Sequence, residues 1–409
     1  MSLSHRQIVF RVCLKNRSWL GFALLLMALL LCANSPAQTL QRILPSQTDS
    51  NIVQFNNYHY VYLNTNVPPR PQLFVLLSGT GGAPAFYQDV LQTAANLGFH
   101  AAGLMYDNGV TMNSLCGDST NPDCYVDARL ATINGGTNDG VSVPNPESIT
   151  NRLVKLLEFL ATNNPDQNWG QFLTAQTNLN WPQIIIAGHS QGAGHAGLIA
   201  KIYPVSRSLM FDDTDWWTPG GKLPGQPANW IVAPGVTSAE FYFGFVHVQD
   251  ALIPYAEEIP TWNDYGLAPF GAPTLVESNL PPYSGSHMLT TDLPPQNGTT
   301  GLDYHDATVV DNSTPLAADG VTPVYQPVWQ YMLVEPPELP QLSLTPVTAN
   351  QIQLSFGTFT NYNYQVQAAT NLTGGWSDVD TTMPGDGSIK TISLTNSAAA
   401  QFYRVTVTY

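Results

Sequence analysis

The sequence predicts an α/β domain, a mostly parallel sheet covered by helices on both faces, followed by a small all-β sandwich. Three observations predict it. From Leu73 onward, short apolar runs alternate with segments of helical spacing. One apolar run, Gln183–Ala187, ends in Gly188-His189-Ser190-Gln191-Gly192 and passes directly into a helical segment, Ala193–Tyr203, stopped by Pro204. Beyond Pro336-Pro337-Glu338-Leu339-Pro340 the pattern changes to a period of two, broken by Gly/Asn/Asp turns.

The first 37 residues are read as a secretory signal. His5, Arg6, Arg11, Lys15 and Arg17 make a basic start, Trp19–Leu31 is almost wholly apolar, and Ser35-Pro36-Ala37 offers a small-residue cleavage site. The apolar run is shorter than the ~20 residues that a membrane span needs. Leu31 disfavours lipid attachment at Cys32, because a small residue is expected there. Cleavage near Ala37 leaves 372 residues, with 10 Lys and Arg against 29 Asp and Glu. Such a surface repels nucleic acid and anionic lipid. Of the four cysteines, Cys116 and Cys124 remain, and their spacing in an oxidising compartment predicts a local disulfide. The pair has no metal-ligand spacing, and neither a metal nor a cofactor is expected.

Leu73–Leu77 reads as a strand ending in Ser78-Gly79-Thr80-Gly81-Gly82. Tyr87–Leu97 reads as a helix stopped by Gly98, and His100–Tyr106 as a second strand. A long polar loop, Asn108–Asn145, carries the cysteine pair. Glu147–Ala161 is an amphipathic helix with Leu153, Leu156, Leu157 and Leu160 on one face. Ser208–Phe211, Phe241–Val248 and His287–Thr291 are further strands. In the tail, Gln341–Thr345, Gln351–Phe356, Tyr362–Ala368, Ile389–Leu394 and Phe402–Thr408 alternate as strands of a sandwich. The expected division is therefore 1–37 signal, 38–337 α/β domain and 338–409 sandwich, with the proline-rich stretch as a stiff linker.

G-x-S-x-G at a strand-to-helix corner has a chemical reason. A serine on a sharp turn projects its hydroxyl, glycine is needed where a Cβ would strike a neighbouring element, and the helix N-terminus faces any oxyanion that forms. This βα run with its elbow resembles the α/β-hydrolase superfamily of serine esterases and lipases over roughly residues 50–335. The resemblance implies a triad in the chain order Ser, acid, His, with Ser190 as nucleophile. Asp250, at the end of the strong strand before it, takes the acid's place. Asp212, Asp213 and Asp215 after the preceding strand are rivals. Elimination among the histidines leaves His287 and His305. His287 begins a strand and belongs at the sheet's other edge, so His305, in the loop beyond, is the expected general base.

The residue after the nucleophile, Gln191, is expected to supply one oxyanion N–H. Ser78-Gly79-Thr80-Gly81-Gly82 resembles the family's His-Gly-Gly loop, with a serine in place of its histidine, and implies the other from Thr80. A phosphate-binding reading of that loop fails because no Gly-Lys-Ser/Thr follows. Trp216, Trp217 and Trp230 read more readily as core or loop anchors than as pocket lining. The tail resembles fibronectin-type-III-like modules of secreted bacterial proteins in Tyr364–Leu372 and Phe402–Val405. The function expected is a secreted serine hydrolase for a small or polymeric carboxylic ester, whose tail contacts a polysaccharide or cell surface. The alternative is a binding or adhesive protein on a hydrolase scaffold.

Overall fold

The computed structural model describes residues 38–409, apart from 139, 175–177, 213–214, 223, 280, 335–342, 349–350, 359–362, 372–374, 386–388, 396–401 and 409. The expected signal segment and proline-rich linker lie outside the described residues.

A nine-stranded sheet organises the larger part of the chain. Its strands are β1 (Thr39–Ile43), β2 (His59–Leu63), β3 (Leu73–Leu77), β4 (His100–Leu104), β5 (Ile184–His189), β6 (Arg207–Phe211), β7 (Tyr242–His247), β8 (Thr274–Leu275) and β9 (Met288–Thr291). They lie in the order β1-β2-β4-β3-β5-β6-β7-β9-β8. Only the β1/β2 and β2/β4 pairings are antiparallel. The others run parallel. The α/β architecture expected from the sequence is the one observed.

The central strands β3 and β5 read as apolar runs because both faces of the sheet are covered there. Leu73, Val75 and Leu77 of β3 pack into one core and Phe74 and Leu76 into the other. Ile184 and Ile186 of β5 go to the first core, Ile185 and Ala187 to the second. The first is closed by helices α3 (Cys124–Asn134), α4 (Ile149–Asn163), α5 (Gln191–Ile202) and α6 (Tyr255–Asp264), the second by α1 (Gln88–Asn96) and α8 (Gln326–Val334). From β3 the chain steps outward to β4, then returns to the other side of β3 as β5. This is a topological switch, and it opens a crevice at the carboxyl ends of those two strands.

Two expectations need correction. The polar stretch 108–145 is not a plain loop, since it holds the short helix α2 (Met112–Cys116), α3, and a hairpin of Gly136–Asn138 with Val141–Val143. Cys116 and Cys124 are bonded, so the disulfide joins the last residue of α2 to the first of α3. His305 likewise sits on a short helix, α7 (Gly301–Asp306), rather than in a loop. The Thr300 hydroxyl accepts the Asp303 N–H while the Asp303 carboxylate accepts the Thr300 N–H, and this reciprocal cap starts the helix.

The tail forms two antiparallel sheets. In one, β11 (Gln351–Gly357) lies between β10 (Ser343–Thr348) and β13 (Ile389–Thr395). In the other, β12 (Asn363–Ala369) pairs with β14 (Phe402–Thr408). Leu354, Phe356, Tyr364, Val366, Ile392 and Leu394 are buried, and the Phe356 and Tyr364 rings lie 5.7 Å apart across the two sheets.

Candidate active site

Ser190 stands between β5 and α5 at φ 52°, ψ −124°. A positive φ at a residue with a Cβ costs about 1–3 kcal/mol and persists only where the surroundings over-determine it. Here they do. The Ser190 N–H donates to the Phe211 carbonyl at 2.8 Å. A Cβ on Gly188 would lie 2.1 Å from the Gly192 carbonyl, and one on Gly192 2.1 Å from the Leu77 oxygen. The two glycines of the motif let β5, the first turn of α5 and the end of β3 meet at backbone distance.

The loop after β3 has one N–H left over. Gly79 donates to the Tyr87 hydroxyl at 3.1 Å. Gly81 donates to the Asn108 carbonyl at 3.1 Å, and Gly82 to the Gly79 carbonyl at 3.0 Å. Among the described residues the Thr80 N–H has no partner. The buried Asn108 side chain locks this arrangement by donating to the Gly79 and Gly82 carbonyls at 2.6 and 2.9 Å. Across the crevice, the first N–H groups of α5 have no acceptor within their own helix. The Thr80 hydroxyl donates to the Gln191 side-chain oxygen at 2.6 Å, tying the two sides together.

His305 is buried, and its Nδ1 lies 2.6 Å from the Asp250 Oδ2. The other carboxylate oxygen accepts the Leu252 and Ile253 N–H groups at 2.7 and 3.0 Å, so the turn after β7 fixes the carboxylate plane. The rival acids are engaged elsewhere. Asp212 is fully buried, takes the His247 N–H at 2.9 Å and accepts the Thr308 hydroxyl. Burial, with the Asp250 charge next in importance, pushes its carboxyl far above the usual range. Asp215 is paired with Arg129, and Asp213 lies outside the described residues. His287 is at the other end of the sheet, stacked on Phe243 and Phe270 at 4.0 and 4.7 Å, with Nδ1 3.1 Å from the Tyr242 carbonyl. Two of the tryptophans are anchors: Trp217 donates to the Ser119 carbonyl at 2.8 Å, and Trp230 to Asp215 at 2.8 Å.

Three residues join this site that the sequence did not single out for it: Asn108, Tyr87 and His189. His189 Nε2 faces a backbone carbonyl, which only accepts, so in the neutral ring Nδ1 is the bare nitrogen and takes the Tyr87 proton, 3.0 Å away, while Tyr87 accepts the Gly79 N–H. His189 Nε2–H then donates to the His305 carbonyl at 3.1 Å. The loop after β3, the elbow and α7 are thus linked through one neutral imidazole. Only Gly79 and Gly82, flagged by the glycine-rich loop, hinted at such a lock.

Burial, then the neighbouring His305, pushes His189 down to about 3. A histidine depressed on folding contributes stability above pH ~6.5 that is lost as pH falls toward its folded value. His189→Gln, which keeps one acceptor and one donor, should therefore flatten the loss of urea midpoint between pH 6.5 and pH 4. An equally steep loss in the variant would place that pH dependence elsewhere.

No protein-family model and no curated protein sequence matches the chain. Among solved structures it is similar to an acetyl xylan esterase from Aspergillus awamori at 15% identity, over 56% of this chain and 80% of that one, with a TM-score of 0.33. It is also similar to TT1662 from Thermus thermophilus at 14% identity, over 64% of this chain and 91% of that one, with a TM-score of 0.30.

Proposed function

We propose that the chain is a secreted serine hydrolase that cleaves carboxylic esters through a covalent acyl-enzyme. One observation carries the reading. A buried His305–Asp250 pair lies beyond the carboxyl end of β7 and a serine held at positive φ beyond that of β5, two strands apart in one sheet; His189, next to Ser190, reaches the His305 carbonyl at 3.1 Å, and among the described residues the Thr80 and Gln191 N–H groups have no acceptor.

In this mechanism Ser190 attacks the ester carbonyl while His305 Nε2 takes its proton. The carbonyl oxygen becomes an oxyanion facing the N–H groups of Thr80 and Gln191. The tetrahedral intermediate collapses, His305 returns the proton to the departing alkoxide, and the acyl group stays on Ser190. Water then repeats the sequence, with His305 as base, to release the acid. Asp250 accepts from Nδ1–H, fixes the reactive tautomer and stabilises the imidazolium.

Export through residues 1–37 and the Cys116–Cys124 bond agree with an extracellular working place. Among the described residues no helix is long and apolar enough to cross a membrane. The β-sandwich contributes none of the proposed chemistry. Its suggested role is contact with a polysaccharide or cell surface, next to a small or polymeric ester.

The deciding experiment is labelling with a fluorophosphonate, followed by mapping of the modified peptide. The adduct is expected on Ser190, and an unlabelled Ser190 would remove the reading. Asp250→Asn should leave the melting temperature nearly unchanged and cut kcat on p-nitrophenyl acetate by up to about 10⁴-fold. If Asp212→Asn shows that loss instead, the acid lies after β6.

A further inference from the structure

One buried ion pair beside the elbow takes no part in the proposed chemistry. Arg129 on α3 and Asp215 after β6 are both buried. Arg129 Nε and Nη2 donate to the two carboxylate oxygens at 2.7 and 2.5 Å, a two-point fork that fixes the guanidinium plane. The remaining arm, Nη1, donates to the backbone carbonyl of Gln191 at 2.8 Å. Asp215 is itself held by the Trp230 indole N–H at 2.8 Å, and its backbone carbonyl accepts the Ala228 N–H at 2.8 Å.

Gly194 completes the seat. A Cβ there would lie 2.1 Å from Arg129 Nη2, so this third glycine, outside the elbow motif, makes room for the guanidinium. The helix carrying Arg129 is tied at its start by the Cys116–Cys124 bond and by the Tyr125 hydroxyl, which donates to the Trp216 carbonyl at 2.9 Å.

A buried ion pair is a poor way to stabilise a core, because well-packed apolar side chains of similar volume do as well or better. Apolar side chains cannot hold a carbonyl at the first turn of a helix. The carbonyl held here belongs to the residue whose N–H is the proposed oxyanion donor. A misplacement of about 1 Å in such a group costs on the order of 100-fold in rate. We propose that Arg129, clamped by Asp215, is a positioning residue that holds Gln191 where its N–H meets the developing oxyanion. This inference rests on the serine-hydrolase reading of the site.

The test uses the full chain and two variants. Arg129→Met with Asp215→Leu removes both charges together and strands neither. Arg129→Lys keeps the charge but loses the planar fork that grips both carboxylate oxygens while a separate nitrogen reaches the Gln191 carbonyl. Each variant, folded by circular dichroism, should lose about 10- to 100-fold in kcat on p-nitrophenyl acetate with KM within about twofold. The rate of Ser190 phosphonylation should fall by the same factor, a change that a purely structural role would not produce. Either variant folded, with wild-type kcat and phosphonylation rate, overturns the inference, as does a loss confined to KM. A wild-type chain that fluorophosphonate leaves unlabelled removes the hydrolase reading and this inference with it. A labelled wild type with unaffected variants removes this inference alone.

Discussion

Ser190→Ala is expected to lower kcat for ester hydrolysis by about 10⁴- to 10⁶-fold, with little change in melting temperature. The fold should survive because serine and alanine both carry a Cβ, so both meet the same cost at φ 52°. Gly188 and Gly192, whose replacement would drive a Cβ into backbone, are untouched. The rate loss is large because the nucleophile and its base act as a unit, and His305 has no other proton to take from a bound ester. The residual rate should still exceed that in water, because Thr80 and Gln191 would polarise the carbonyl for direct attack by water. Initial rates on p-nitrophenyl acetate, with the variant's circular dichroism alongside, check both halves. Undiminished turnover in a folded variant would end the esterase reading.

The parts of this fold legible in the sequence are those that local physics decides. A strand buried on both faces is mostly apolar, which made β3, β5, β6 and β7 visible. A backbone-distance crossing must be glycine, which made the elbow visible. Helix α3 escaped because its buried residues are not one apolar stripe. They include Arg129 and Thr132, and Arg129 is tolerable inside only because Asp215, 86 residues later, meets it. Nothing local to residues 124–134 announces that partner.

Helix α7 is a different case, since its start signal was present. Thr300 followed three residues later by Asp303 is a capping pattern, but six residues are too few to show a period. Of the site's linkages, the Asp250–His305 pair follows from chain order at strand ends. The Tyr87–His189–His305 chain and the Asn108 lock depend on which loops meet above the crevice. That is a tertiary fact, and the sequence carries no periodic trace of it.

The same distinction separates two buried histidines. His305→Ala should cost nearly as much as loss of the serine, about 10⁴-fold or more in kcat, whereas His287→Ala should cost less than about 10-fold. Both side chains are buried, so burial does not rank them. Their partners do. His305 presents Nδ1 to the Asp250 carboxylate beyond the carboxyl end of β7, on the helix whose backbone is held to the elbow through His189. His287 is stacked on Phe243 and Phe270 with its Nδ1 near the Tyr242 carbonyl, at the end of β7 where the strand begins. Removing it empties a packed aromatic site, so its cost should appear as about 2–5 kcal/mol of stability rather than as lost chemistry. Paired kinetics and urea melts on the two variants separate the outcomes. A His287 variant that is stable but inactive, beside an active His305 variant, would move the general base to the opposite end of the sheet and undo the proposed triad.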